Sequence, residues 1–139
     1  MKLMIRNIVK DENFLKIKSV PCNKMDLKIA TDLKDTLKAH RKECVGMAAN
    51  MIGYSKRMIV VSLGLHDLVM INPEIISHSN KYKTEEGCLS LIGVRPCVRY
   101  DEIEVKYLDE QFNEHIQSFK GFIAQIIQHE CDHLEGIII

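Results

Sequence analysis

The chain has 139 residues, with 19 Lys+Arg balanced by 19 Asp+Glu, 46% hydrophobic and 27% charged residues. That length supports a sizeable core in one domain, residues 1–139, and leaves no room for a second of ordinary size. The composition excludes a disordered chain, zero net charge argues against binding that rests on phosphate contacts alone, and no apolar run approaches the ~18 residues that cross a bilayer.

The first ten residues alternate apolar and basic side chains (Met1-Lys2-Leu3-Met4-Ile5-Arg6) without a continuous hydrophobic stretch or a small-residue cleavage site, which is not the pattern of a secretory signal. The spacing over 26–43 predicts a helix, with Ile29, Ala30, Leu33 and Leu37 as its apolar stripe. Asn23 and Asp26 compete as its N-cap, and the helix should fail near Cys44-Val45-Gly46. Met58-Ile59-Val60-Val61, within 57–63, reads as a short buried strand, and 68–72 as another that Pro73 stops. Residues 75–108 read as several short strands, the last with Ile103, Val105 and Tyr107 facing inward. A turn is expected at 109–113, and from Lys120 the period becomes 3.6, placing Phe122, Ile126, His129 and His133 on one face and Gly136 at the stop. Helix, strands, helix predicts an α+β fold in which short antiparallel strands wrap a C-terminal helix.

The five cysteines (Cys22, Cys44, Cys88, Cys97 and Cys131) are odd in number and contain no C-x-x-C pair. Reduced thiols in a cytoplasmic setting are the expectation, with one thiol free to serve as ligand or nucleophile.

The sharpest chemical signal is His129-Glu130-Cys131-Asp132-His133. Positions i and i+4 of a helix share a side, so both imidazoles can reach one metal ion while Glu130 acts as a general base. Chance supplies roughly 0.02 such spacings in a chain of this composition. Two surface histidines on an ordinary helix would be the plain alternative. However, both continue an apolar line, and imidazoles facing a core need partners. A catalytic metal takes a third protein ligand. Cys88, in Glu86-Gly87-Cys88-Leu89-Ser90, is the best candidate, although spacing does not choose it over Cys44 or Cys97. Cys131 points away from the histidine side of the helix. Asp132 reads either as a support behind the ligands or as a solvated acid.

Glu86-Gly87-Cys88-Leu89-Ser90 and Gln128-His129-Glu130-Cys131-Asp132-His133-Leu134-Glu135-Gly136 resemble two signature motifs of the peptide deformylases. The resemblance covers essentially the whole chain. It implies that Cys88, His129 and His133 bind one divalent metal, Fe²⁺ natively, with Zn²⁺, Ni²⁺ or Co²⁺ as alternatives. It implies Glu130 as the catalytic acid–base and the backbone N–H of Leu89 as an oxyanion donor. Val45, Gly46, Leu89 and Ile126, with His129, would border the pocket for the substrate methionine. A third family motif, G-φ-G-φ-A-A-x-Q, has its counterpart at Cys44-Val45-Gly46-Met47-Ala48-Ala49-Asn50-Met51, where Cys44 replaces the first Gly and Met51 the Gln. That Gln donates to the formyl oxygen, and Met cannot.

The implied activity is hydrolysis of the formyl group from N-formylmethionyl nascent peptides, releasing formate, slowly because of Met51. The implied partners are those peptides and, transiently, the ribosome that delivers them; no nucleic-acid specificity and no membrane are expected. The competing reading is a degenerate homologue that binds metal and N-terminal peptides with little turnover, and a general metalloprotease stands third. Arg95, after the cysteine motif, is expected to brace Glu86 or to be a plain surface charge.

Overall fold

A computed structural model describes residues 5–88 and 90–138, with the backbone alone at 91 and 92. Leu89, expected to offer an amide N–H and a pocket wall, lies outside the described residues. Among the described residues, helices α2 (Lys28–Ala39) and α3 (Gly121–Leu134) pack on one sheet, and the short α1 (Glu12–Leu15) lies against the 3-10 turn Ala49–Ile52. The sheet is an antiparallel meander of β1 (Gly46–Ala48), β2 (Met58–Ser62), β3 (Asp67–Cys88), β4 (Leu91–Leu108) and β5 (Glu114–Lys120), in that spatial order. The fold is α+β, as the order of elements predicts.

Met58, Ile59, Val60 and Val61 are fully buried because β2 lies against both α2 and α3, so neither of its faces meets water. That is why β2 reads as a continuous apolar run rather than an alternation. Ile103, Val105 and Tyr107 of β4 are also buried, and their charged neighbours face outward. The turn at 109–113 forms around Asp109, whose Oδ1 accepts from the N–H groups of Gln111 and Asn113.

The helix expected over 26–43 is shorter and starts differently. Asn23 caps a 3-10 turn, Lys24–Asp26, by accepting from the Met25 N–H, while Asp26 accepts from the Asn23 N–H. The two rival caps form one reciprocal box. The α-helix proper then runs from Lys28 to Ala39, and 40–43 are turns.

The strand expected to stop at Pro73 continues through it. A bulge between Ile71 and Glu74 takes Pro73 out of the ladder, so its missing N–H leaves no partner unpaired. Asn72 sits at φ 52° in this bulge, its N–H bonds to the Arg57 carbonyl, and its amide clasps both backbone groups of Cys22. The several short strands expected over 75–108 are instead the two long arms of one hairpin, β3 and β4. Most of the far half of β3 is solvent-exposed, so no apolar alternation marks it in the sequence.

Helix α3 packs on β1, β2 and β4. Phe122, expected at the head of its buried line, is 64% exposed; the buried face begins with Ala124 and Ile126. The helix ends where expected. Gly136 has φ 77°, and a Cβ there would collide with the Lys16 carbonyl, so both conformation and space require glycine.

Candidate metal centre

Helix α3 supplies His129 and His133 one turn apart, and the end of β3 brings Cys88 to the same side. Their candidate ligand atoms all lie within 4.8 Å of one another. The two imidazoles meet nitrogen to nitrogen, Nε2 to Nε2, at 3.0 Å. Both histidines are buried, and Cys88 is half-buried.

The tautomer of His129 follows from its other nitrogen. Nδ1 lies 2.7 Å from Glu86 Oε1, and a carboxylate only accepts, so Nδ1 carries the hydrogen and Nε2 faces the cluster. Burial works against a charged His129, but the hydrogen bonds to Cys88 and Glu86 outweigh it and raise its pKa to about 10. His133 goes the other way, down to about 3, through burial and then the charge on its neighbour.

Glu86 is held in turn. Arg99 donates from Nε to both carboxylate oxygens (3.0 and 3.2 Å) and from Nη2 to Oε1 (2.7 Å), and Gln125 donates to Oε2 (2.8 Å). Burial alone would raise the Glu86 pKa; the bonds from His129, Arg99 and Gln125 hold it well below the usual carboxylate range. The other arm of Arg99 donates to Asp132 Oδ2 at 2.7 Å, so Asp132 supports the ligands from behind through the arginine. The expected brace from Arg95 is not formed. Arg95 pairs with Glu86 in the strand register, yet its Nη1 has no partner among the described residues. Arg99, four residues on along β4, reaches the carboxylate instead.

Glu130 is buried, and its Oε1 has no hydrogen-bond partner among the described residues. Burial pushes its pKa up to about 7, against the attraction of His129. A carboxyl poised there can take and return a proton near neutral pH. The cluster opens on a cavity of about 650 Å³ lined by Val45, Gly46, Met51, Ile126, His129 and Glu130, among others. Val45 is 40% exposed at its mouth, whereas Ile126 is buried. Gly46 is pressed so closely against α3 that a Cβ there would come within 2.6 Å of Ile126 Cγ2 and 3.1 Å of Glu130 Oε2.

Met51 is buried, with its sulfur 3.4 Å from the Ala48 N–H. Its neighbour Asn50 does not replace a missing donor, because it is fully buried, donates from Nδ2 to the His133 carbonyl at 2.8 Å and is not among the residues that line the cavity. Cys44 also lines the cavity; its thiol donates to the Gly46 carbonyl, and burial followed by the Glu130 charge pushes its pKa up to about 12. Cys131 is buried in the core and takes no part in the cluster.

The residues present suit a divalent metal. Two imidazole nitrogens converging with one sulfur form a borderline-soft donor set, and a set of three protein donors is one that would hold a divalent ion with a position left for water. Sequence reasoning missed Arg99 and Gln125. It also passed over a usable signal: Glu86 and Cys88, two apart on a strand, share a face, so a carboxylate belongs near any metal that Cys88 binds.

The model of the family described as polypeptide deformylase matches residues 5–139. The chain is 55% identical to a peptide deformylase of Clostridium beijerinckii, over 98% of this chain and 100% of that one. It is 42% identical to one from Brachyspira hyodysenteriae, over 96% and 78%. Among solved structures, a Met-Ala-Ser-bound class I type b peptide deformylase from Acinetobacter baumannii matches with a TM-score of 0.86 at 33% identity, covering 96% of each chain. The peptide deformylase from Legionella pneumophila matches at 0.87 and 33%, covering 96% of this chain and 83% of that one.

Proposed function

The chain belongs to the polypeptide deformylase family, whose members are metal-dependent hydrolases of the N-terminal formyl group, and on that premise we propose how its own residues carry the reaction. Cys88, His129 and His133 would hold one divalent ion, natively Fe²⁺, which Zn²⁺, Ni²⁺ or Co²⁺ can replace on the same donors. Bound there, such an ion would supply Lewis acidity for a carbonyl oxygen and for the attacking water near neutral pH. Glu130 takes the proton of the attacking water and hands it to the leaving amine nitrogen; its lone Oε1 and near-neutral pKa fit both halves of that task. The products are formate and a peptide with a free N-terminal methionine.

The formyl group is too small to confer specificity, so the methionine side chain must do so. Val45, Gly46 and Ile126 border the cavity that would receive it, and Leu89 would complete the wall and offer its N–H to the developing oxyanion. The relative that holds Met-Ala-Ser supports a substrate of that form. We place the enzyme in the cytoplasm as one deformylase domain over 1–139, meeting its substrates in transient contact with the ribosome. Among the described residues no helix is long and apolar enough to cross a membrane.

The observation that carries this reading is the convergence of Cys88, His129 and His133 beside a buried Glu130 whose Oε1 has no hydrogen-bond partner among the described residues. The test is formate release from formyl-Met-Ala-Ser by Fe²⁺- or Ni²⁺-loaded protein. Glu130→Gln should keep the metal and lower turnover by roughly 10²–10⁴-fold. Met51 favours one competing reading, a homologue that binds peptides without hydrolysing them. Retained peptide binding with no formate from the metal-loaded wild type would establish that one instead.

A further inference from the structure

Gln125 lies one turn before His129 on α3, so the two side chains share a helical side, and it lines the cavity. An apolar residue there would suit a pocket for a methionine side chain equally well. The amide is nevertheless committed at both ends. Nε2 donates to Glu86 Oε2 at 2.8 Å, and Oε1 accepts from the Tyr82 hydroxyl at 3.4 Å. Tyr82 stands on β3 four residues before Glu86, so strand and helix hold the amide between them.

The occupancy of Glu86 gives these bonds a consequence. Oε1 accepts from His129 Nδ1, from Arg99 Nη2 and, at 3.2 Å, from Arg99 Nε, and Oε2 accepts from Arg99 Nε and Gln125 Nε2. Both oxygens are thereby hydrogen-bonded, and Gln125 is the donor on Oε2 that Arg99 does not share with Oε1, so the carboxylate is held against turning. Without Gln125, Oε2 would keep a single close donor, and the carboxylate could swing about its arginine and carry Oε1 away from His129. The His129 tautomer depends on that contact.

We propose that Gln125 is a positioning residue, locking the Glu86 carboxylate so that His129 presents Nε2 to the metal. The inference rests on the metal-binding reading of Cys88, His129 and His133. It concerns a residue outside that ligand set, acting through Glu86.

The test uses Gln125→Met, which keeps the length and removes the donor, and Gln125→Glu, which places an acceptor against Glu86. Both are compared with wild type for Co²⁺ affinity by chelator competition, for the visible spectrum of the Co²⁺-loaded protein, and for kcat and KM on formyl-Met-Ala-Ser. Circular dichroism verifies the fold of each variant. Partners behind metal-ligating histidines typically contribute about 10–100-fold in affinity, so Gln125→Met should bind Co²⁺ at least ~10-fold more weakly. Its Co²⁺ bands should shift, and kcat should fall with little change in KM; Gln125→Glu should lose at least as much. Wild-type affinity and an unshifted spectrum in either folded variant would overturn the role of Gln125 while leaving the metal site standing. A wild-type protein that takes up no Co²⁺ would overturn the metal reading and this inference together.

Discussion

Met51 stands where the resemblance to the third deformylase motif implies a glutamine donor. A thioether sulfur accepts weakly and donates nothing, and here it is turned to the Ala48 N–H. Asn50 is tied to the His133 carbonyl and cannot stand in. Losing one donor aimed at a developing oxyanion typically costs about 2.7–4 kcal/mol, roughly 10²–10³ in turnover. A metal held by Cys88, His129 and His133 would supply Lewis acidity that offsets part of that loss, so a slow enzyme is expected rather than a dead one. Met51→Gln can keep the Ala48 contact through its carbonyl and turn its NH₂ towards the cavity. It should raise kcat/KM on formyl-Met peptides at least ~10-fold, the part of that loss which a bound metal would leave uncompensated. An unchanged rate, with metal still bound, would show that another group already stabilises the oxyanion.

Between elements, the decisive contact is β1 against α3. Gly46 has no side chain, and this lets the strand approach Ile126 and Glu130 closely enough to fix the position of the buried carboxyl. Gly46→Ala would force the Ile126 methyl aside, because no core neighbour accommodates a 2.6 Å carbon contact. Overpacking of this kind costs about 1–3 kcal/mol, which thermal denaturation should register as a lowered Tm. Glu130 would shift with the helix face, so kcat should fall by about 10-fold or more while the metal content stays the same. Full activity in a destabilised Gly46→Ala protein would mean that β1 does not set the geometry of Glu130.

At the scale of the whole molecule, the candidate ligands come from β3 and α3, elements that the chain joins only through β4 and β5. A cation bound by all three ties the end of the long hairpin to the C-terminal helix and stabilises only the folded state. At a free metal concentration 1,000 times Kd, that linkage contributes about 4.1 kcal/mol. Stripping the metal with a chelator should therefore lower Tm by on the order of 10 °C, and adding back Fe²⁺, Ni²⁺ or Zn²⁺ should restore it. A melting curve indifferent to the chelator would detach metal binding from the stability of the fold.

What the sequence determined by itself is local. The i, i+4 placement of His129 and His133 follows from the 3.6-residue period, and the inward face of Ile103, Val105 and Tyr107 from the two-residue period. The helix stop at Gly136 follows from a conformation open mainly to glycine. Each of these depends on a few consecutive residues and is written in their order. Spacing could not choose Cys88 among the cysteines; resemblance named it, and the fold brought its sulfur to the imidazoles. Only the tertiary structure decided that Arg99 rather than Arg95 holds Glu86, that Gln125 closes the carboxylate, and that β3 passes Pro73 through a bulge. Those outcomes depend on strand register and on which long side chain reaches a buried charge first. Register is set by bulges and by packing against distant elements, which no run of neighbouring residues records.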